Sequence, residues 1–209
     1  MTEKNIKIIE NSINPNSILI IGDVHGKLKE YHDIIKNHKG ISIQVGDFGF
    51  KKEHQWHLAN INFHKHKICF GNHDDYSFFS KPHSMNNFTV YTNSKLMTIR
   101  GADSIDKHLR LQDVSWWSNE EMNQKEMQEA IDQYIKSKPK IVISHDCPNI
   151  VRKYFFNISD KSLTTNGMQF MFDSYKPDLW IFGHHHRSKN EVIEGTRFVC
   201  LSELEWIVI

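Results

Sequence analysis

Five short apolar runs rich in Ile and Val stand out along the chain. Each is too short for a typical helix and has no polar alternation, which is typical of strands that are buried on both faces. They lie at residues 17–21, 41–45, 67–70, 141–144 and 179–182. Between the first three runs, apolar positions repeat at helical spacing over residues 27–37 and 53–63. This alternation of strand and helix predicts a mostly parallel sheet.

The second half of the chain adds strands of another kind. Residues 88–91 and 96–100 flank a polar tetrapeptide and predict a hairpin, and residues 191–193, 197–201 and 205–209 predict three further strands. So many strands do not fit one small sheet. We therefore expect an α/β fold in which two sheets pack together with helices outside.

One helix in this half carries clear end signals. Ser118 with Glu121 three residues later has the spacing of a capping box, and Pro139 follows the apolar periodicity. The pattern predicts a helix that begins near Ser118 and ends before Pro139.

Composition limits the kind of protein. The 209 residues are 39% hydrophobic and 24% charged, which predicts a compact domain, and we expect residues 1–209 to form a single one. Lys plus Arg (26) nearly balances Asp plus Glu (25), so there is no strong nucleic-acid signature. No stretch has the pattern of a signal peptide or a membrane span, so we expect a soluble, cytoplasmic protein. Three widely spaced cysteines favour reduced core thiols.

Candidate chemistry follows the five apolar runs directly. Each run is followed at once by residues that can bind a metal, and four of these five turns place Gly before the ligand. The candidates are Asp23 and His25, Asp47, Asn72, His145, and His184 and His186. The carboxyl ends of parallel strands meet at one edge of a sheet, where open α/β folds build their sites. Together these positions predict one shared site.

The types of ligand indicate which metal the site would bind. Carboxylates, imidazoles and one amide, without a thiolate, favour Mn, Fe, Zn or Ni over a Cys-based structural zinc. We expect divalent transition-metal ions, with Mn first and Fe, Zn or Ni as alternatives. One ion does not need seven ligands, so a pair is implied. Two-metal sites suit in-line displacement at phosphate esters, with water activated by the metals.

The ordered motifs Asp-x-His, Gly-Asp, Gly-Asn-His-Asp, His and Gly-His-x-His resemble those of the calcineurin-like metallophosphoesterase superfamily, over residues 22–187. The resemblance implies a β-sandwich of two mixed sheets flanked by helices. It implies that Asp23, His25, Asp47 and His186 hold one ion, and that Asp47, Asn72, His145 and His184 hold the other, so that Asp47 is the bridge. It further implies that His73 protonates the leaving oxygen or stabilises the phosphate.

The sequence departs from the serine/threonine phosphatase branch. There the second motif continues into Asp-Arg-Gly, whereas here Phe48 to Lys52 follow Asp47. We therefore expect a small phosphodiester or a nucleotide as the substrate. The replacements open to the chain are Asp74 or Asp75 for orienting His73, and Arg110 or Arg187 for binding phosphate.

Two alternatives stay open. One is a phosphomonoesterase or protein phosphatase of the same superfamily. The other is a catalytically silent scaffold of this fold, which should lack His73 or break the ligand set, although both are intact here. The physiological substrate and the oligomeric state are not set by these patterns.

Other histidines are expected to lie outside the site. His54, His57, His64 and His66 are interspersed with lysines, which predicts a solvated face. His185 should point away from its two neighbours because successive residues of an extended turn diverge.

Overall fold

The computed structural model describes residues 17–49, 53 and 61–209. The strands are β1 (Ile18–Ile21), β2 (Ile41–Gln44), β3 (His66–Ile68), β4 (Phe88–Tyr91), β5 (Leu96–Ile99), β6 (Ile141–Ser144), β7 (Leu179–Phe182), β8 (Lys189–Ile193), β9 (Thr196–Cys200) and β10 (Trp206–Val208). The described α-helices are α1 (Leu28–Ile35), α2 (Gln124–Ser137), α3 (Asn149–Phe156) and α4 (Leu163–Ser174). Short 3-10 helices span Tyr76–Phe78 and Lys107–Leu109.

The strands form two mixed sheets. One has the order β10-β1-β2-β3, and the other has the order β4-β5-β6-β7-β9-β8. β1, β2 and β3 are parallel, with β10 antiparallel at the edge. β5, β6, β7 and β9 are parallel, and β4 and β8 are antiparallel edge strands. The predicted sandwich of two mixed sheets with flanking helices is confirmed. The helix expected over residues 53–63 lies almost wholly outside the described residues.

Side-chain alternation along the strands separates the core into layers. Ile20 of β1 faces Ile143 and Ile181 of the other sheet, in the layer between the sheets. Its neighbours Leu19 and Ile21 point to the opposite face, which α1 covers. The outer face of the larger sheet packs against α2, α3 and α4. Continuous apolar runs therefore mark strands that are covered on both faces.

The start of α2 differs from the sequence prediction. Asn123 is the N-cap: its side chain accepts a hydrogen bond from the Glu126 N–H at 3.0 Å, and Glu126 accepts one from the Asn123 N–H at 2.9 Å. Glu121 instead accepts from the Thr164 N–H. Two polar pairs have the same spacing, and the one directly before the amphipathic run caps the helix. The predicted end is confirmed, since α2 stops at Ser137, before Pro139.

His66 is a second correction. Only 8% of it is exposed, and its Nδ1 lies 2.7 Å from the Ser42 hydroxyl on the adjacent strand. His64 is exposed as expected, whereas His54 and His57 lie outside the described residues. A strand position with period-two alternation buries His66 although lysines flank it.

Two expectations from composition concern the cysteines and membrane segments. Cys69, Cys147 and Cys200 are free and buried, as predicted. Within the described part of the chain, none of the helices has the length and apolar character needed to cross a bilayer.

Candidate metal centre

The candidate ligands follow the carboxyl ends of five parallel strands, and the two sheets present those ends to each other. Asp23, Asp47 and Asn72 follow β1, β2 and β3 of the smaller sheet. His145 follows β6 of the larger sheet, and His184 to His186 follow β7. The structure brings all seven candidates into one cluster at the seam between the sheets.

A first group consists of Asp23, His25, Asp47 and His186, whose donor atoms all lie within 4.8 Å of one another. Nε2 of His186 is 3.3 Å from Oδ2 of Asp23, and Nε2 of His25 is 3.7 Å from Oδ2 of Asp47. The two imidazole nitrogens are 2.9 Å apart. Four donors this close together could hold a single cation.

A second group contains Asp47, His145 and His184. Nε2 of His145 lies 3.2 Å from Oδ1 of Asp47 and 3.1 Å from Oδ1 of Asn72, which adds the amide oxygen. Nδ1 of His145 is 3.0 Å from the Val45 carbonyl. Because a carbonyl can only accept, Nδ1 carries a proton, and Nε2 is the ring nitrogen that faces Asp47 and Asn72 and would bind an ion.

Asp47 belongs to both groups. Its Oδ1 faces His145 and its Oδ2 faces His25. Oδ2 is buried and has no hydrogen-bond partner among the described residues. A buried carboxylate oxygen without a donor is costly, and a cation between the groups would satisfy it. This orphaned atom and the set of oxygen and nitrogen donors fit the two ions that the sequence implies.

The charges inside the cluster support each other. Burial alone would raise the pKa of Asp47, but His145 and neighbouring imidazoles outweigh it and lower that pKa. Burial likewise opposes protonation of His145, yet the Asp47 carboxylate raises its pKa. The pKa of Asp23 falls to about 2, because His186 and His25 outweigh the effect of burial. Both carboxylates are thus ionised at neutral pH and available to cations.

Four of the candidate ligands have left-handed backbones. The φ angles of His25, Asp47, His184 and His186 are +46°, +58°, +65° and +51°. This region costs a non-glycine residue about 1–2 kcal/mol. Such strain persists where the surroundings over-determine the conformation, and it concentrates at functional sites.

Asp74 supplies much of that constraint. Its carboxylate accepts backbone N–H groups from Asp47 at 2.9 Å, Phe48 at 2.7 Å, Gly49 at 3.1 Å and Gly71 at 2.7 Å. These bonds hold the two loops that carry Asp47 and Asn72, and an orienting role of Asp74 towards His73 stays a prediction. Asp75 caps a 3-10 helix, where its side chain accepts from the Ser77 N–H. These roles depend on two loops that meet only in the fold, and the sequence carries no signal for them.

His73 lies beside the second group. Its backbone N–H donates to Oδ1 of Asp47 at 2.7 Å, and its ring centre is 5.4 Å from that of His25. Nη1 and Nη2 of Arg110 lie 2.8 Å and 2.9 Å from the two ring nitrogens. Both contacts hold the guanidinium directly beside the ring. Burial, together with the Arg110 charge, lowers the pKa of His73.

Arg110 is itself held by a carboxylate. Asp106 accepts from its Nε and its Nη2, both at 2.8 Å. A fixed bidentate pair of this kind limits where the guanidinium can point. The four-residue spacing of Asp106 and Arg110 was a signal available in the sequence.

A pocket of about 270 Å³ opens beside the second group. Its lining includes Asn72, His73, Arg110, Arg152 and His184. Arg187 is exposed and does not belong to the described lining.

His185 turns away from both groups, as expected. Its Nε2 lies 3.2 Å from Asp146, and its ring stacks on Phe156 with centres 4.0 Å apart.

Comparison with solved structures finds the same fold at low identity. The chain is similar to a dimetal phosphatase from Danio rerio (TM-score 0.57, 13% identity, covering 91% of this chain and 88% of that one). It is similar to the phosphopantetheinyl hydrolase PptH from Mycobacterium tuberculosis (TM-score 0.56, 14% identity, covering 90% of this chain and 90% of that one). It also resembles a proposed 5'-nucleotidase from Staphylococcus aureus (TM-score 0.52, 14% identity). That match covers 92% of this chain but only 50% of that protein.

Among curated protein sequences, none is significantly similar to this chain. The family model described as calcineurin-like phosphoesterase, however, matches residues 17–188. That match covers most of the chain and contains every candidate ligand. The chain therefore belongs to the calcineurin-like phosphoesterase family.

Proposed function

We propose that the protein is a phosphoesterase that depends on two metal ions and hydrolyses a small phosphodiester or a nucleotide. The observation that carries this proposal is Asp47, whose two carboxylate oxygens face two separate groups of donors. A carboxylate shared in this way is the expected bridge of a two-metal site. Family membership supports hydrolysis of a phosphate ester in general.

In this proposal the first ion is held by Asp23, His25, Asp47 and His186. The second is held by Asp47, Asn72, His145 and His184. The proposed ions are Mn, with Fe, Zn or Ni as alternatives, since oxygen and nitrogen donors without thiolate suit all four metals. The Lewis acidity that activates water and neutralises charge on the phosphoryl group would come from the two bound ions.

His73 is proposed as the group that acts on the leaving oxygen. It is fixed through its backbone N–H to Asp47, and its ring reaches the pocket. From there its ring can give a proton to the departing oxygen or donate an N–H to the phosphate.

Arg110 is proposed to contact the substrate phosphate. Because Asp106 already neutralises Arg110 through two hydrogen bonds, the net charge of the Arg110–Asp106 pair is small. A phosphodiester carries one negative charge and demands less of such a clamp than a monoester dianion. The small pocket also suits a small ester. Arg187, exposed next to His186, is a second candidate for contact with a larger substrate.

The test compares catalytic efficiency on bis-p-nitrophenyl phosphate and p-nitrophenyl phosphate, each with added Mn, alongside a phosphopeptide. The proposal predicts higher efficiency on the diester. A clear preference for the phosphopeptide would return the protein to the phosphatase alternative. Protein that binds two ions yet turns over none of these esters would support the scaffold.

His73→Asn is the matched variant for this assay. It should retain both ions and lose about a hundred- to ten-thousandfold in rate on esters with a poor leaving group, as removal of a general acid does. The loss should be smaller for esters whose leaving group is a weak base, since those need little help from a proton donor. Loss of metal from this variant would show that His73 is misassigned.

A further inference from the structure

A buried hydrogen-bond chain runs from Glu120 to the amide of Asn72 through Ser104. The three residues are between 1% and 3% exposed. Glu120 Oε1 accepts from the Ser104 N–H at 2.7 Å, and Oε2 accepts from the Ser104 hydroxyl at 2.8 Å. Asn72 Nδ2 donates to the Ser104 hydroxyl oxygen at 3.0 Å. On its other side, Oδ1 of Asn72 lies 3.1 Å from Nε2 of His145.

The direction of this chain follows from the donors and acceptors available. As a carboxylate, Glu120 can only accept, so the hydroxyl proton of Ser104 points to it. The Ser104 oxygen is then left to accept a hydrogen bond from its other neighbour. The amide of Asn72 must therefore turn its NH₂ towards Ser104 and its oxygen towards His145.

That orientation matters for metal binding. An amide can bind a cation through its oxygen, but a flipped amide would present two N–H groups to the ion. Nothing in the covalent structure of Asn72 distinguishes the two orientations, because the oxygen and the NH₂ group have nearly the same shape. The neighbours of the amide decide between them.

We propose that Glu120 and Ser104 are positioning residues that fix the Asn72 oxygen towards the second ion. This inference rests on the proposed two-metal function. It assigns a role in the site to a carboxylate that lies 48 positions away in the sequence and does not reach the cluster itself. Outer hydrogen-bond partners of ligands commonly set metal affinity.

The first experiment measures Mn binding to the full-length protein and to its Glu120→Gln variant. Binding is monitored through the electron paramagnetic resonance (EPR) signal of free Mn. In the variant, the new NH₂ group faces the Ser104 oxygen, so the hydroxyl turns its proton towards Asn72 and favours the flipped amide. The second ion should then bind about ten- to a hundredfold more weakly, while the first is retained. The EPR signature of a coupled Mn pair should weaken in parallel.

Glu121→Gln is the matched control. It makes the same chemical change at the neighbouring glutamate, which accepts from the Thr164 N–H and has no part in the chain to Asn72. Ser104→Ala and Ser104→Thr form a second pair. Alanine removes the hydroxyl that links Glu120 to Asn72 and should weaken binding of the second ion. Threonine keeps a hydroxyl and should retain that binding.

The decisive comparison places Glu120→Gln in an Asn72→Asp background. Aspartate offers an oxygen in either orientation, so the change at residue 120 should no longer affect the second ion. A Glu120 that merely supports the fold would weaken binding equally in both backgrounds, and that result would overturn the proposal.

The binding data also separate this inference from the proposed function. Wild-type protein that binds two Mn ions but hydrolyses no ester would leave the positioning role standing and remove the function. Wild-type protein that binds fewer than two ions would overturn both. Unchanged binding of the second ion in Glu120→Gln and Ser104→Ala would overturn the positioning role alone.

Discussion

At the scale of single residues, Asp47 combines burial, a left-handed backbone and a shared carboxylate. It is fully buried with a φ of +58°, and one oxygen has no hydrogen-bond partner among the described residues. Each of these features carries a cost when considered alone. They are explained together if the carboxylate neutralises charge between two cations.

Asp47→Asn should therefore disrupt both ion sites. The amide keeps the shape but removes the negative charge that both groups share, so its effect should exceed that of changing a terminal imidazole such as His186. Elemental analysis of protein saturated with Mn measures the stoichiometry. Retention of two ions by Asp47→Asn, with His186→Asn losing more, would contradict the bridging role.

The sequence predicted which residues meet but not what holds them in place. Gly before a polar residue at a strand end was enough to predict one cluster, because parallel strands share an edge. The bonds of Asp74 to the backbone N–H groups of residues 47–49, and the link from Glu120 through Ser104 to Asn72, join segments that are distant in sequence. Local pattern carries no information about such pairings.

At the scale of elements, the strands lie where the apolar runs predicted them, whereas α2 begins later than predicted. Strands buried on both faces leave a strong local signal. A capping box is only a spacing of two polar residues, and this stretch contains that spacing twice. The start of the apolar periodicity decides between Ser118 and Asn123.

Asn123→Ala tests the observed cap. Loss of an N-cap costs about 1 kcal/mol, which corresponds to roughly 2–4 °C in Tm for a protein of this size. Ser118 is exposed, and Ser118→Ala should leave Tm unchanged. Thermal unfolding followed by circular dichroism compares the two variants. Equal destabilisation by both, or a larger effect of Ser118→Ala, would show that the cap is misplaced.

His66 on β3 gives a prediction for acid stability. Burial lowers its pKa to about 4 in the folded protein, against an ordinary value near 6.5. The unfolded chain therefore binds a proton first, so stability is fully present above about pH 6.5 and is lost as pH falls towards about 4. With a metal chelator present, the Tm of the wild type should fall more steeply than the Tm of His66→Gln as pH is lowered from about 6.5 to about 4. Parallel curves would show that His66 is not the buried neutral group described here.

At the scale of the whole molecule, the two sheets meet where the candidate ligands converge. Asp23, Asp47 and Asn72 come from the smaller sheet, and His145, His184 and His186 come from the larger one. Sequence reasoning reached this two-sheet arrangement by counting strands. It could not show that each proposed ion would have ligands from both sheets, because that depends on how the sheets pack.

An ion with ligands from both sheets would act as a cross-link between them. Local opening of one sheet edge would then require release of ligands in the other, so the two edges should become one cooperative unit. Amide hydrogen exchange would reveal this coupling. Adding Mn should slow exchange together at the carboxyl ends of β2 and β6, while amides near Gly195 in the distant β8–β9 turn stay unchanged. Slowing confined to one sheet would mean that the ions do not join the halves of the sandwich.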